Sequence, residues 1–392
     1  MNYLRTTSRK RLVAGGLGVA ALVAASGAVA SGAFAGDGQA PPAKPLAQAI
    51  ADAQKAPAPV GITARIRFEN RLLTSSSLTG AGSPLLTGAS GRLWATNDGR
   101  LRLELQSTAG DAQIVSDGKT VSIYDASSKT DYLITLPKQT AAQAEPTSDP
   151  ASSIQQQLDR ISAVATLSGA LPTAIAGQGA YSVRVSPKQN GGLFGAAELA
   201  FDAARGVPLR AAIYATGSDQ PVLELVATEI SYGPIADAAI DVKPPADAKV
   251  QKIEIPAELQ GSTAGPDHGK GAAVTPAEAQ RGLAFTLAAP DTAAGLARAQ
   301  IVRAGSDGAV VAYGKGLGSI VVYESKASAA NAKDSGASSL GLPKVSLGGA
   351  TGSELSTPLG TLLMLSRAGV SYTVVGSVPA ASLEAAARDI LR

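Results

Sequence analysis

The sequence predicts an α+β protein that is mainly β and organised around antiparallel meanders. The clearest signal lies in residues 88–137, where apolar and polar residues alternate with a period of two. In Leu101–Leu105, the three leucines would point to one face of a strand and the charged residues to the other. Asp98-Gly99 and Asp117-Gly118 separate such stretches, as in β-hairpins. We expect about four strands here, with one apolar face that other elements must cover.

The composition narrows the class of protein. The chain has 392 residues and is 45% apolar, so it can bury a core and form two or three domains. Its net charge is only +3, and no stripe of Lys and Arg with interleaved aromatic residues is present, so we expect no nucleic-acid partner. Cysteine is absent and His268 is the single histidine. We therefore expect no disulfide, no metal site and no cofactor.

Residues 1–35 have the composition of a targeting segment. Arg9, Lys10 and Arg11 precede an uncharged stretch, Leu12–Ala35, that is long enough to span a bilayer, which needs about 20 residues. Two Ala-x-Ala cleavage patterns lie at 28–30 and 33–35. A cleaved signal peptide and a retained membrane anchor both remain open. In either case we expect export to the cell envelope, with possible anchoring to the cytoplasmic membrane through residues 12–35.

A linker at residues 36–45 is followed by elements that we assign to one domain, 46–255. Leu46–Lys55 and Ser152–Leu167 have apolar residues at helical spacing. Gly61–Glu69 alternates as a strand before the first meander. A second meander is predicted from four further stretches, which are Tyr181–Val185, Ala196–Phe201, Val207–Ala215 and Val222–Ile230.

A second linker at 256–273 is rich in Gly and Pro and leads to a smaller α+β domain, 274–392. Thr275 is the expected N-cap of its first helix, with proline at the next position. The last helix begins at Pro379. Strands are expected at Gly308–Tyr313, Ser319–Glu324, Pro358–Leu365 and Val370–Val375.

Five stretches of the first domain carry a resemblance to a known family. They are Gly91–Trp94 with Arg100–Glu104, Ile114–Asp125 (IVSDGKTVSIYD), Val207–Arg210 and Lys243–Val250 (KPPADAKV). With the order helix, strand, long loop, meander, helix and second meander, they resemble the LolA-like superfamily of envelope proteins. That family includes lipoprotein carriers and the sigma-factor regulators RseB and MucB. The matching motifs are structural rather than chemical.

The resemblance implies a curved antiparallel sheet, a half-barrel, wrapped over helices. Members of the family hold acyl chains or lipidated proteins against the concave apolar face. No local motif here matches the arginine latch of the lipoprotein carriers. The residues expected to form the apolar ligand-binding wall are Ile66, Phe68, Leu101, Leu103, Leu105, Val121 and Ile123.

Motifs that could indicate catalysis are weak. The segment Gly314–Gly318 (GKGLG) lacks the spacing of a phosphate-binding loop and is expected to be a hairpin turn. His268 lies in a Gly-rich linker, and no G-x-S-x-G motif accompanies it, so a Ser-His-Asp triad is not supported.

The segment Leu362–Leu365 is compatible with a partner-binding patch or with a central strand buried on both faces.

We therefore expect a non-catalytic, exported protein that binds a lipid, an acyl chain or a lipidated protein in its half-barrel. An alternative is an envelope-stress sensor that contacts a membrane-bound regulatory protein through residues 274–392. A hydrolase is a third and weaker hypothesis. Contact with the membrane through the N-terminal segment is expected if that segment is retained.

Overall fold

The computed structural model describes residues 38–73, 84–136, 150–189, 191–253, 273–304, 308–327 and 342–392. Within these ranges the chain forms two β-sheets and six short helices, which confirms the mainly β, α+β class. The predicted targeting segment and His268 lie outside the described residues. Among the helices described here, none combines the length and apolar character that a membrane crossing requires.

The first sheet contains thirteen strands and joins both predicted meanders. Its strand order is β13-β6-β5-β4-β3-β2-β1-β12-β11-β10-β9-β7, and β8 also pairs with β9. The strands are β1 Gly61–Asn70, β2 Ala89–Thr96, β3 Leu101–Ser107, β4 Gly110–Ser116, β5 Thr120–Asp125, β6 Thr130–Thr135, β7 Ala165–Leu167, β8 Leu171–Ile175, β9 Gln178–Pro187, β10 Phe194–Asp202, β11 Pro208–Ala215, β12 Pro221–Tyr232 and β13 Lys249–Ile253. All pairs are antiparallel except β13 with β6.

Alternation along the strands produces one apolar face, as predicted. Leu103 pairs with Leu93 on one side and Ile114 on the other, so the three side chains share that face. Strands β2 and β3 approach each other closely at Gly91. A Cβ on Gly91 would lie 1.8 Å from the carbonyl oxygen of Glu104, so only glycine permits this close approach.

Four helices accompany this sheet: α1 Leu46–Lys55, α2 Pro84–Thr87, α3 Pro150–Val164 and α4 Asp237–Ile240. The predicted end of α3 at Leu167 was wrong by three residues. Residues 165–167 leave the helix and pair with β9 as strand β7. The edge strands β7, β8 and β13 were not predicted.

The second sheet has eight strands in the order β14-β15-β16-β17-β21-β20-β19-β18. They are β14 Thr292–Ala293, β15 Leu296–Ala304, β16 Gly308–Tyr313, β17 Ile320–Lys326, β18 Lys344–Leu347, β19 Ala350–Thr357, β20 Gly360–Arg367 and β21 Val370–Gly376. Helices α5 Pro276–Gln280 and α6 Ala380–Ile390 belong to the same part of the chain. Thr275 caps α5, as expected, and Glu278 forms a capping box with it.

One face of the second sheet packs against α6. Leu383, Ala386 and Ile390 of the helix join Val322 and Leu363 of the sheet in a single buried cluster. In β20, Leu363 and Leu365 are buried, whereas Leu362 and Met364 on the other face are only half-buried. The strand is therefore not buried on both faces.

The two sheets meet at the β9–β10 turn. The backbone N–H of Leu193 donates to the carbonyl oxygen of Ser377 at 2.8 Å and lies 3.1 Å from its Oγ. Each sheet otherwise packs its own cluster of buried residues. The division into domains at 46–255 and 274–392 stays a prediction.

Candidate functional site

A cavity of about 580 Å³ lies between α1, α3 and the concave face of the first sheet. The helices contribute one side of it and strands β9–β12, with the end of β1, contribute the other. Its apolar lining consists mainly of Leu46, Ile50, Ala53, Phe68, Leu158, Ile161, Leu167, Val183, Val185, Leu199, Phe201, Ala211, Ile213, Leu223 and Leu225.

Helix α1 is held firmly over the sheet. Its buried Ala49 packs with Tyr181 and Phe201, and this orients Leu46 and Ile50 towards the cavity. Before the helix, Lys44 Nζ lies 2.7 Å from Asp52 Oδ2, and the hydroxyl of Tyr181 donates to the carbonyl oxygen of Pro42 at 2.6 Å. The hydrogen bond to Asp52 raises the pKa of Lys44, so the pair stays ionised at neutral pH.

The C-terminal half of α1 lies directly on the turn between β10 and β11. Asp202 Oδ1 accepts hydrogen bonds from the N–H groups of Ala204 and Arg205 and fixes this turn. Gly206 completes it with φ +68°, and a Cβ there would lie 2.6 Å from the carbonyl oxygen of Ala53. Glycine at this position therefore allows the helix to approach the sheet closely.

The floor of the cavity follows from the strand register. Val183 pairs with Leu199, Leu199 with Ala211, and Ala211 with Leu225. Leu225 in turn pairs with Phe68 of β1. Directly paired residues share one face, so these side chains form a continuous apolar row across five strands.

Charged groups lie on the opposite face of the same strands. The backbones of Glu198 and Glu224 border the cavity, but their carboxylates bind Arg210 at 2.5 and 2.6 Å. Arg67 and Tyr214 extend this network. The described lining residues include no serine, threonine, cysteine or histidine.

The rim beside α3 exposes apolar side chains. Ile161 of the helix is 42% exposed, and Leu199 of the facing strand is 41% exposed. Val164 at the end of α3 is 71% exposed. In contrast to α1, helix α3 presents much of its surface to solvent, so it covers the cavity only loosely.

The seven predicted wall residues lie on the concave face, but most lie beside the cavity rather than in it. Phe68 lines the cavity described above, and Ile66 lines a neighbouring one of about 80 Å³. The remaining five, Leu101, Leu103, Leu105, Val121 and Ile123, pack in the adjoining core cluster. Their role in ligand binding stays a prediction.

The sequence analysis missed the residues that form most of the cavity. Leu46, Ile50 and Leu158 lie on helices that were predicted, and their helical spacing could have indicated which side faces the sheet. Val183 and Val185 alternate on a predicted strand. Nothing in the local pattern shows that the helices cover this half of the sheet rather than the other.

The architecture, an antiparallel half-barrel with helices over its concave face, is the fold that the sequence resemblance implied. No family model and no curated protein sequence matches the chain. Solved structures with similar folds include the MucA/MucB complex of Pseudomonas aeruginosa, at 17% identity and TM-score 0.38, covering 87% of this chain and 94% of that one. MucB alone matches at 15% identity and TM-score 0.36, covering 87% and 96%. A LolA superfamily protein from Nitrosomonas europaea matches at 9% identity and TM-score 0.21, covering 51% and 99%. These are likenesses of fold.

Proposed function

We propose that this protein binds an acyl chain, carried by a lipid or a lipidated protein, in the cavity beneath α1 and α3, and that it does so without catalysis. The observation that carries the proposal is the cavity itself. Its volume of about 580 Å³ is within the range of about 300–1,000 Å³ typical of small-molecule sites. Its described side-chain lining is almost entirely apolar.

Burial of hydrocarbon supplies enough affinity for this role. Each buried CH₂ contributes about 0.8 kcal/mol, so about ten of them contribute about 8 kcal/mol before the cost of ordering the chain. That gross value corresponds to a Kd of about 1 μM. Partial burial of one chain therefore suffices for reversible binding.

The arrangement of charges supports recognition of the hydrocarbon rather than of a headgroup. The carboxylates of Glu198 and Glu224 point away from the cavity and both pair with Arg210, while Arg184 and Arg67 lie within 4 Å of them. The exposed apolar rim at Ile161 and Leu199 provides a path for a chain to enter while its polar end remains in solvent. We infer a site that accepts chains with different headgroups.

The test is native mass spectrometry and fluorescent fatty-acid binding with the full chain, purified without detergent. Ala211→Trp places an indole in the apolar row of the cavity and should weaken binding at least tenfold. Ala238→Trp, at an exposed position of α4 away from the cavity, is the matched control and should bind as the wild type does.

A co-purifying lipid that Ala211→Trp loses and Ala238→Trp keeps would support the proposal. A wild-type protein with a clean mass and no fatty-acid binding would refute it, as would equal binding by both variants. Circular dichroism shows whether Ala211→Trp keeps the native fold.

The sensor hypothesis and the export hypothesis stay predictions for this chain. One of the similar structures is described as MucB in complex with MucA, and that description concerns MucB. For this chain, a membrane-bound regulatory partner contacting residues 274–392 remains the alternative function. Loss of partner capture when that region is deleted would support it.

A further inference from the structure

Glu324 is a carboxyl group buried in the core of the second sheet. It lies on β17, is 0% exposed, and its cross-strand partners are Ala309 and Tyr372. Its Oε2 accepts a hydrogen bond from the N–H of Ala288 at 2.9 Å, and its Oε1 has no hydrogen-bond partner among the described residues. A buried carboxylate normally has several partners or a cation beside it.

Ala288 belongs to an irregular segment, residues 283–290, which we name the strap. It connects α5 to β14 and has no regular secondary structure. Phe285, Leu287 and Ala289 pack against the buried cluster of the second sheet. The strap therefore covers part of that core without the support of a strand ladder.

Side chains satisfy the strap's backbone groups. Gln280 Nε2 donates to the carbonyl oxygen of Phe285, and Gln280 Oε1 accepts from the N–H of Leu287, both at 2.8 Å. Arg298 donates to the carbonyl oxygen of Ala289. Three side chains therefore bond the backbone of the strap, those of Gln280, Arg298 and Glu324. Glutamine does not titrate and arginine remains protonated, so Glu324 is the one of the three whose charge can change near neutral pH.

The groups facing Glu324 offer little compensation for a negative charge. Tyr313 of β16 and Tyr372 of β21 interact with it electrostatically, and the hydroxyl of Tyr313 has no hydrogen-bond partner among the described residues. Arg298 interacts with Tyr313 but is paired with Asp291 at 2.8 Å. Arg367 interacts with Tyr372 and donates to the carbonyl oxygen of Leu391. The strap itself contributes one hydrogen-bond donor to Glu324, the N–H of Ala288.

We propose that the protonation state of Glu324 controls the position of the strap. The neutral acid holds residues 283–290 on the core, and ionisation of the carboxyl loosens them. A neutral carboxyl accepts the Ala288 hydrogen bond without placing a charge in the apolar interior. A carboxylate in the same position has one donor and no cation, so it favours conformations in which the strap lifts and water reaches the group.

The direction of the pH effect follows from the pKa. Burial raises the pKa of Glu324 to about 7, opposed only in part by the hydrogen bond from Ala288. With the strap open, the carboxyl has an ordinary pKa near 4.5. The closed strap therefore binds the proton more tightly, and its stability is greatest below pH 4.5 and falls as the pH rises towards 7.

The test is hydrogen exchange by mass spectrometry on peptides covering the strap, in the full chain at pH 5 and pH 8, after correction for the intrinsic rate. We expect protection of residues 283–290 to fall at least about tenfold from pH 5 to pH 8. Glu324→Gln keeps an acceptor for Ala288 and has no charge, so it should remove this dependence. Glu278→Gln, an exposed carboxylate in the capping box of α5, should behave as the wild type does.

Protection that is the same at both pH values in the wild type would overturn the proposal, as would an identical pH dependence in Glu324→Gln. A second measurement does not depend on a variant: a ¹³C-carboxyl NMR titration should show Glu324 ionising near pH 7. Ionisation near pH 4.5 would also overturn the proposal.

Discussion

At the scale of single residues, Gly206 determines how closely α1 can lie on the sheet. Gly206→Ala adds the strain of a positive φ, about 1–2 kcal/mol, to a contact with the carbonyl oxygen of Ala53. We expect the free energy of unfolding to fall by about 3 kcal/mol, from backbone strain and overpacking together, and acyl-chain binding to weaken. Urea unfolding and fatty-acid titration measure the two effects.

Gly217→Ala is the matched control for this change. Gly217 also has a positive φ, +74°, but a Cβ there meets nothing within 4 Å. We expect a loss of about 1 kcal/mol and unchanged binding. If both variants lose the same stability and bind alike, then contact with α1 is not what Gly206 provides.

Arg210 is the central charge on the convex face of the first sheet. Its guanidinium binds both Glu198 and Glu224, whose side chains are only 17% and 10% exposed. Removing it leaves two partly buried carboxylates without their main cation, so Arg210→Ala should lower the free energy of unfolding by about 2 kcal/mol. Chemical denaturation at pH 7 measures this.

Arg65→Ala provides the comparison for an exposed pair. Arg65 lies 3.0 Å from Glu229, but both side chains are more than half exposed. Surface ion pairs contribute about 0–1 kcal/mol, so the loss should be below that of Arg210→Ala. Equal losses would show that burial of the Arg210 network adds nothing.

At the scale of elements, the two helices over the cavity differ in how firmly they are held. Helix α1 has buried alanines, an ion pair with Lys44 and the Tyr181 hydrogen bond before it, whereas most of α3 is exposed. We expect backbone amides of α3 to exchange at least about ten times faster than those of α1. Hydrogen exchange with and without a fatty acid should show added protection concentrated in α3.

That outcome would identify α3 as the element that moves when a ligand enters. Equal exchange in both helices, or ligand protection confined to α1, would contradict it. Strand β12 is the internal reference, because it lies between β1 and β11 in the sheet and should exchange slowly in both states.

The elements also show what a sequence can and cannot specify. Strict alternation in residues 101–105 and the N-cap at Thr275 are local signals, and both predictions were confirmed. Strand β13 is exposed along its whole length, so it has no alternation to detect. Strand β7 continues the apolar spacing of α3 and differs from it only by pairing with β9, which is a non-local interaction.

The cavity was harder to predict than the apolar wall, because it too depends on non-local interactions. Residues such as Leu103 and Val121 were expected on the concave face from period-two alternation, and they pack together there. Which part of that face remains open depends on where α1 and α3 lie. The position of α1 is set by contacts with Tyr181 and with the Gly206 turn, both more than a hundred residues away in the sequence.

At the scale of the whole molecule, two sheets with separate buried clusters meet near Leu193 and Ser377. We expect calorimetry to show two unfolding transitions. A bound fatty acid should raise the Tm of one of them, because it stabilises only the sheet that contains the cavity. Glu324→Gln should alter how the Tm of the other transition depends on pH.

One cooperative transition, shifted as a unit by both ligand and Glu324→Gln, would instead show that the sheets unfold together. Ser377→Ala removes the hydroxyl near Leu193. If this variant then unfolded in two transitions, the contact between Leu193 and Ser377 would be what couples the unfolding of the two sheets.

The position of β1 has a consequence for biosynthesis. This strand leaves the ribosome first, yet one of its two neighbours in the sheet is β12, some 160 residues later. Until β12 has been made, one edge of β1 is unpaired and the floor of the cavity is incomplete. Such long-range closure slows folding and leaves an unpaired strand edge exposed while the chain is being synthesised. We therefore expect the nascent chain to depend most on a chaperone before β12 has been made.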